Sequence, residues 1–220
     1  MFDTKDVKVS RYTISVIKDD HYITATLETG NEWDSWMRQD LSIIYEPGTD
    51  ILDIGGNIGT NSLMFSDFGP VHVFEPIFHE IIAKNIHQNE VWNAVTVYPY
   101  GLSSTETETD IFIPKKEGDK TNYGGCSLHP NDEQHSSEKV RIQLKKLDDV
   151  YTGKPSVIKI DVEGHELEVL KGSLNTIRTH RPSIFIESFD IKNSQILELF
   201  TQLGYRKIIA RPDSNWLILP

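Results

Sequence analysis

The chain has 220 residues, of which 38% are hydrophobic and 25% are charged, as is typical of one globular domain with a sizeable core. Its net charge of -11 and its lack of a long apolar run argue against a nucleic-acid partner and against membrane insertion. The charged N-terminus shows no secretory signal and the chain has a single cysteine, Cys126, so we predict a cytoplasmic protein.

The N-terminal part of the chain predicts a hairpin followed by a helix. In residues 1–30 apolar and polar side chains alternate, which predicts two strands that turn at Asp19 and Asp20. Apolar residues then recur at helical spacing until a Pro-Gly turn signal. Trp33 and Trp36 lie on this predicted helix, where they either pack in the core or present a surface on which a sugar could stack.

From residue 50 onward short apolar strands alternate with helical segments, which predicts an α/β fold. The predicted strands are 50–54, 71–75, 94–98, 156–161, 182–188, 205–210 and 215–220. One predicted helix ends near residue 68, and three others span 78–90, 163–180 and 192–204. Right-handed crossovers make such strands parallel, but the link between the last two strands is too short for a crossover. We therefore predict a mostly parallel seven-stranded sheet with helices on both faces and an antiparallel last strand.

The segment 105–138 differs from its surroundings, because it is polar, rich in charge and contains glycine. We predict that it is an irregular insertion. It is either a mobile surface segment or a binding loop over the carboxyl end of the sheet. With the hairpin at 1–30 and this insertion, the chain is predicted to form one domain over 1–220.

A glycine-rich turn follows the first strand of the predicted sheet. The stretch DIGGNIG, Asp53 to Gly59, places an acid two positions before the first glycine. In open α/β sheets ligands bind at the carboxyl ends of the strands, and glycine lets the backbone approach them closely. Glu75 ends the next strand, where an acid can accept hydrogen bonds from the hydroxyl groups of a ribose.

The charge of the glycine turn narrows the choice of nucleoside ligand. The spacing is not G-x-G-x-x-G, and Asp53 would repel a pyrophosphate at the start of the following helix. S-adenosylmethionine fits better, because it carries an ammonium and a sulfonium group and no phosphate. The alternative is a structural turn in which Asp53 caps the helix.

A second acidic cluster follows the strand at 156–161. Asp161 ends this strand, and Glu187 ends the next one, so both carboxyl groups should face the same cleft. We predict that Asp161 orients or deprotonates an acceptor hydroxyl, with His165 or Glu187 assisting as a base.

Other uses of these acids stay open. Asp161, Glu163 and Glu187 could hold Mg²⁺, although we assign no metal, and acids such as Glu163 and Glu166 are ordinary in a first helical turn. His129 and His135 lack ligand-like spacing and are interpreted as solvated loop residues. We expect the thiol of Cys126 to be inert.

Several of these segments together resemble the FkbM-type methyltransferases. They are ILDIGGNIGTNSLMFS, VHVFEP, GLSS, LDDV and VIKIDVEGHELEVLKGS, between about Glu46 and Glu187, and IKIDVEGHELEVLKG is the most specific. The resemblance implies a Rossmann-like class I methyltransferase fold and an O-methyltransferase that uses S-adenosylmethionine. It also implies an acceptor such as a sugar of a glycan or glycoconjugate, for example a rhamnose or fucose, and action beside glycosyltransferases.

The resemblance also implies roles for individual residues. Gly55, Asn57 and Gly59 would line the methionine end of the cofactor, Glu75 would hold its ribose, and Gly101 and Leu102 would lie near the adenine. The predicted cofactor contacts are Glu32, Asp53, Gly55, Asn57, Gly59, Glu75, Pro76, Gly101, Leu102 and Asp161. The rival interpretations are a nucleotide-binding oxidoreductase and a non-catalytic binding module with the same fold.

Overall fold

The computed structural model describes residues 2–114, 118–129, 135–189, 191 and 194–220. In chain order the strands are β1 (Thr4–Val9), β2 (Tyr12–Ile17), β3 (Asp50–Ile54), β4 (Val71–Phe74), β5 (Val95–Tyr98), β6 (Gly101–Leu102), β7 (Thr107–Pro114), β8 (His135–Lys145), β9 (Pro155–Ile160), β10 (Ser183–Glu187), β11 (Lys207–Ala210) and β12 (Asn215–Leu219). The helices are α1 (Ile23–Glu28), α2 (Met37–Ile44), α3 (Thr60–Phe65), α4 (His79–Gln88), α5 (Leu147–Val150), α6 (Glu166–Lys171), α7 (Leu174–His180) and α8 (Gln195–Gln202).

The central sheet has seven strands in the order β11-β12-β10-β9-β3-β4-β5. The pairs from β10 through β9, β3 and β4 to β5 are parallel, whereas β12 runs antiparallel to both β10 and β11. The predicted sheet, with its antiparallel last strand, is therefore confirmed. The carboxyl ends of β3, β4, β9 and β10 meet at one edge of this sheet.

Helices cover both faces of the central sheet. Alternate residues of β9 enter different cores: Val157 packs with α2, α3 and α4, whereas Ile158 and Ile160 pack with the helices α5 to α8. All six residues of β9 are buried. A strand that is covered on both faces has no solvated side, which explains the continuous apolar sequence of these strands.

The N-terminal hairpin is present, but it turns at a different place from the one predicted. β1 pairs with β2, and the turn between them contains Ser10 in the left-handed region, with φ of +52°. The predicted second strand is instead α1. The carboxylate of Asp20 accepts hydrogen bonds from the backbone N–H groups of Tyr22 and Thr24, which starts this helix where a β-turn was expected.

The insertion is more regular than the sequence predicts. β7 pairs antiparallel with β8, and β6 pairs parallel with β8, which makes a second sheet of three strands. The segment 105–138 contains β7 and the start of β8. Ile111 and Ile113 of β7 and Ile142 and Leu144 of β8 are buried in one core with the N-terminal hairpin. Ile111 and Ile113 lie within the segment, so its polar average composition conceals a strand with a buried face, and Ile142 and Leu144 extend that face beyond residue 138.

The predicted helix at 163–180 consists of two helices, α6 and α7, which are separated at Gly172 and Ser173. A Cβ atom at Gly172 would lie 2.0 Å from the carbonyl oxygen of Ser103, so the backbone of another segment passes close to this break.

Among the described residues, no helix combines the length and the hydropathy that a membrane span requires.

Candidate active site

A cavity of about 380 Å³ opens at the carboxyl ends of the parallel strands. Its wall contains most of the predicted site residues: Gly55, Asn57, Glu75, Pro76, Gly101, Leu102, Asp161, His165 and Glu187. Seven of these residues come from the ends of β3, β4, β9 and β10 and the loops that follow them, and Gly101 and Leu102 form β6. The topology of the sheet brings them together, as is general for open α/β sheets. The volume of the cavity lies within the range of small-molecule sites in proteins.

Three predicted cofactor contacts lie outside the described wall of this cavity. Asp53 is fully buried, and its carboxylate accepts a hydrogen bond of 2.5 Å from the Ser62 hydroxyl. Gly59 takes φ of +86° before α3. Glu32 forms an ion pair with Arg38 at 2.7 Å. Asp53 therefore precedes the glycine turn as a buried, hydrogen-bonded acid, and Gly59 ends the turn at the start of α3. Glu32 is held by its ion pair with Arg38.

The glycine turn brings the ends of β3 and β9 together. Gly55 has φ of +84°, and a Cβ atom there would lie 1.8 Å from the carbonyl oxygen of Asp161. Asn57 also takes a left-handed conformation, with φ of +48°. Its backbone N–H donates a hydrogen bond of 3.0 Å to the carboxylate of Glu75. The turn therefore connects the two acids that were predicted to bind cofactor and acceptor.

Glu75 is a buried acid that three backbone N–H groups hold in place. Besides Asn57, Ile77 and Phe78 donate hydrogen bonds to it at 2.8 and 3.2 Å. Burial nevertheless raises the pKa of Glu75 to about 7, and the nearby carboxylate of Asp53 acts in the same direction. The carboxylate is thus fixed before any ligand arrives, with one lone pair on Oε2 left for a further hydrogen bond.

Lys159 is a buried cation in the cavity wall that the sequence analysis missed. It is 2% exposed, and its Nζ lies 3.0 Å from the Asp161 carboxylate and 3.8 Å from that of Asp53. Burial alone would lower the pKa of Lys159, but the surrounding carboxylates raise it above its ordinary value. A lysine inside the apolar strand SVIKID was the available signal, because a buried lysine requires paired acids.

The carboxyl groups of Asp161, Glu163 and Glu187 come together, with one oxygen of each within 4.8 Å of the others. Burial would raise the pKa of Asp161, but the ammonium of Lys159 lowers it overall. Burial and the charge of Asp161 raise the pKa of Glu187, and they raise that of Glu163 to about 7. The ammonium of Lys159 therefore favours the ionised form of Asp161, whereas burial and the charge of Asp161 favour the protonated form of Glu187. The three groups could also hold a divalent cation, as the sequence analysis left open.

His165 lies in the wall with both ring nitrogens engaged. Its Nε2 is 2.9 Å from the Ser103 hydroxyl, and its Nδ1 is 3.2 Å from Nε2 of His129. Burial lowers the pKa of His165, and the neighbouring His129 lowers it further. His129, which we interpreted as a solvated loop residue, is exposed but contacts the wall. The side chain of His135 lies outside the described residues.

The insertion borders the cavity, as expected for a binding loop. Its wall residues are Asn122, Tyr123, Gly124, Cys126 and Leu128. The Tyr123 N–H donates to the Asp20 carboxylate at 3.3 Å, and the Ser127 hydroxyl donates to the carbonyl oxygen of Glu163 at 2.8 Å. Burial raises the pKa of the Cys126 thiol, which keeps it protonated.

Aromatic side chains also reach the cavity. Of the two tryptophans, Trp33 lines it, whereas Trp36 packs edge-on against Phe185 in the core, with ring centroids 5.8 Å apart. Tyr22 and Phe189, which the sequence analysis did not identify, line it as well.

Comparisons with known proteins find methyltransferases that are similar to this chain. A family model described as "Methyltransferase FkbM domain" matches residues 53–207, which include every predicted site residue except Glu32. The chain is 34% identical to the hexuronic acid methyltransferase AglP of Haloferax volcanii, over 58% of this chain and 51% of AglP. It is 30% identical to the methyltransferase sdnD of Sordaria araneosa, over 56% of this chain and 59% of sdnD. The chain thus spans little more than half the length of these relatives.

A crystal structure of a methyltransferase FkbM from Methylobacillus flagellatus matches the fold with a TM-score of 0.55 and 20% identity. The match covers 78% of this chain and 43% of that one. At this level of identity the likeness concerns the fold, and it confirms the predicted Rossmann-like methyltransferase architecture.

Proposed function

The chain belongs to the methyltransferase FkbM domain family, and from this membership we propose that it methylates a hydroxyl group of a sugar, with S-adenosylmethionine as the methyl donor. The relative AglP is named for methylation of a hexuronic acid, which supports a sugar acceptor in a glycan or glycoconjugate. A deoxysugar such as rhamnose or fucose, action beside glycosyltransferases and a cytoplasmic location are further parts of this proposal.

The charge of the cavity supports S-adenosylmethionine as the ligand. Asp161, whose ionised form Lys159 favours, and Glu75 and Glu163, whose pKa values are about 7, favour a ligand with ammonium and sulfonium groups. A dinucleotide would instead need cations or free N–H groups for its pyrophosphate. In the described part of the wall Lys159 already pairs with Asp161, and the N–H group of Asn57 is bonded to Glu75.

Glu75 is our candidate for the residue that binds the ribose. It follows β4 and is held by three backbone N–H groups, so that the remaining lone pair on Oε2 is oriented before binding. Gly55 and Asn57 would then lie against the amino-acid end of the ligand, and Gly101 and Leu102 against its base.

Asp161 is our candidate for the general base. When bound, S-adenosylmethionine supplies a methyl group that is electrophilic because it is attached to a sulfonium. Lys159 favours the ionised form of Asp161, which could accept the proton of the acceptor hydroxyl as the oxygen forms a bond to the methyl carbon and the carbon–sulfur bond breaks, with S-adenosylhomocysteine as the leaving group. The side chain of Glu187 is hydrogen-bonded to Asp161 and would help to hold this candidate base in position. His165 has both nitrogens engaged, which makes it the less favoured base of the three predicted residues.

The observation that carries this proposal is the convergence of the glycine turn, Glu75 and Asp161 on one cavity of ligand size. Calorimetric titration of the protein with S-adenosylmethionine and S-adenosylhomocysteine tests it. We expect micromolar binding of both ligands, and Glu75→Gln should weaken it at least about tenfold, because a hydrogen bond from a ligand hydroxyl to a carboxylate is lost.

Glu80→Gln is the matched control, since Glu80 is an exposed acid on α4 and is not part of the described wall. Thermal unfolding shows whether each variant folds. Mass spectrometry of sugar acceptors then looks for the gain of one CH₂ unit. Absence of binding by the wild-type protein would refute the proposed donor, and binding without methylation of any hydroxyl acceptor would refute the proposed reaction.

A further inference from the structure

The mouth of the cavity exposes a large aromatic side chain. Phe189 is 84% exposed although it lines the cavity, and it follows Glu187 by two residues. Tyr22 also lines the cavity and is 51% exposed. Large aromatic side chains are usually buried or partly buried, because their exposure to water costs free energy. An exposed ring at the entrance of a site is therefore available for contact with a ligand.

Glu187 lies two residues before this ring in the chain, and two further acids lie close to Glu187 in space. Glu187 ends β10, and its carboxyl group lies within 4.8 Å of those of Asp161 and Glu163. Among the described wall residues Lys159 is the one lysine or arginine, and its Nζ is 3.0 Å from Asp161. This end of the cavity therefore combines an apolar ring with hydrogen-bond acceptors, and its lysine is already paired.

A sugar ring matches this combination. Its C–H faces are apolar and can stack on an aromatic ring, whereas its hydroxyl groups donate hydrogen bonds to carboxylates. A sugar that carries its own carboxylate would bring a further negative charge beside Asp161. In the described wall that charge would meet no unpaired lysine or arginine, and burial of such a charge is costly.

We propose that Phe189, together with the carboxyl groups of Asp161, Glu163 and Glu187, forms an acceptor subsite for an uncharged sugar ring. This inference rests on the proposed function and deepens it, because it assigns the charge class of the acceptor and a residue that determines specificity. Phe189, Glu163 and Glu187 are not among the predicted donor contacts, so variants of Phe189 and Glu163 test the acceptor subsite separately from donor binding.

The first test is the kinetics of Phe189 variants with the best neutral acceptor. We expect Phe189→Ala to raise KM about tenfold, which corresponds to about 1.4 kcal/mol, with kcat changed less than about twofold. Phe189→Tyr keeps the aromatic face and should restore KM. Trp92→Ala is the matched control, because Trp92 is 53% exposed but is not part of the described wall.

The second test compares acceptors that differ only in charge. Methyl glycosides of glucose, galactose and mannose are paired with those of the corresponding uronic acids. We expect kcat/KM to be at least about tenfold higher for the neutral member of a productive pair. Glu163→Gln removes one acid of the wall and should narrow this ratio.

The outcomes separate the two proposals. If the protein methylates sugars but Phe189→Ala leaves KM unchanged, or if uronates react as well as neutral sugars, the acceptor subsite is refuted and the proposed function stands. If S-adenosylmethionine binds but no sugar is methylated, both the sugar acceptor and the subsite are refuted. If the methyl donor itself does not bind, the failure lies in the proposed function.

Discussion

At the scale of single residues, Lys159 shows how one buried charge organises the site. Its Nζ pairs with the carboxylate of Asp161, which lines the cavity, and lies 3.8 Å from the carboxylate of Asp53, which precedes the glycine turn. Because the lysine and the two acids belong to neighbouring strands, β3 and β9, their side chains meet through the register in which Asp53 lies opposite Lys159. The same ammonium keeps the candidate base ionised.

Removal of this ammonium should leave its partners uncompensated. We expect Lys159→Met to lower the free energy of unfolding by about 3–5 kcal/mol, because the buried carboxylates lose their counter-charge. Urea unfolding measures this change. Lys207→Met is the matched control on an exposed position of β11 and should change stability by less than about 0.5 kcal/mol. A loss of less than about 1 kcal/mol for Lys159→Met would show that the pairing contributes little.

At the scale of elements, the glycine turn after β3 depends on two separate constraints at Gly55. The residue has φ of +84°, and its Cα faces the backbone of Asp161 with no room for a side chain. Gly48 has the same φ of +84°, but no atom lies within 4 Å of the position of its Cβ. The two glycines therefore separate the cost of the backbone conformation from the cost of the close approach.

Alanine substitution at both glycines uses this difference. Gly48→Ala should cost about 1–2 kcal/mol, which is the penalty of a left-handed conformation. Gly55→Ala should cost at least about 2 kcal/mol more, because the new methyl group displaces the end of β9. Chemical unfolding compares the two, and calorimetry should show weaker S-adenosylmethionine binding for Gly55→Ala. Equal losses of stability at both sites would contradict the close approach.

Other elements differ from the sequence prediction for reasons that are not local. The segment after Asp19 has the alternation of a strand, yet Asp20 caps α1 and also accepts a hydrogen bond from Tyr123, more than a hundred residues away. The insertion contains β7 because β8 provides its partner. Local alternation indicates that a segment can be a strand, but a partner strand or a capping acid decides the outcome.

At the scale of the whole molecule, the buried acids make stability depend on pH. Burial raises the pKa of Glu75 and of Glu163, each from 4.5 to about 7. Between these values the folded protein binds more protons than the unfolded chain. The contribution of these groups to the free energy of unfolding therefore falls as pH rises from about 4.5 to about 7.

Glu163→Gln should reduce this loss. We expect the difference in unfolding free energy between pH 5 and pH 8 to shrink by about 1–2 kcal/mol relative to the wild type, because most of the titration of Glu163 falls between these two pH values. Urea unfolding at both pH values gives this difference. Glu106→Gln, on the exposed loop before β7, is the control and should leave it unchanged. An unchanged difference in Glu163→Gln would contradict the raised pKa.

The sequence by itself determined the architecture of the central sheet, the antiparallel last strand and the positions of Glu75 and Asp161 at strand ends. These features follow from local periodicity, glycine signals and the rule that ligands bind at the carboxyl ends of parallel strands. Only the tertiary structure decided that Lys159 pairs with Asp161, that the insertion borders the cavity and that Phe189 stays exposed at its mouth. Each of these three features depends on contacts between segments that are distant in the chain. The local pattern of side chains does not indicate which of these contacts form or how strong they are.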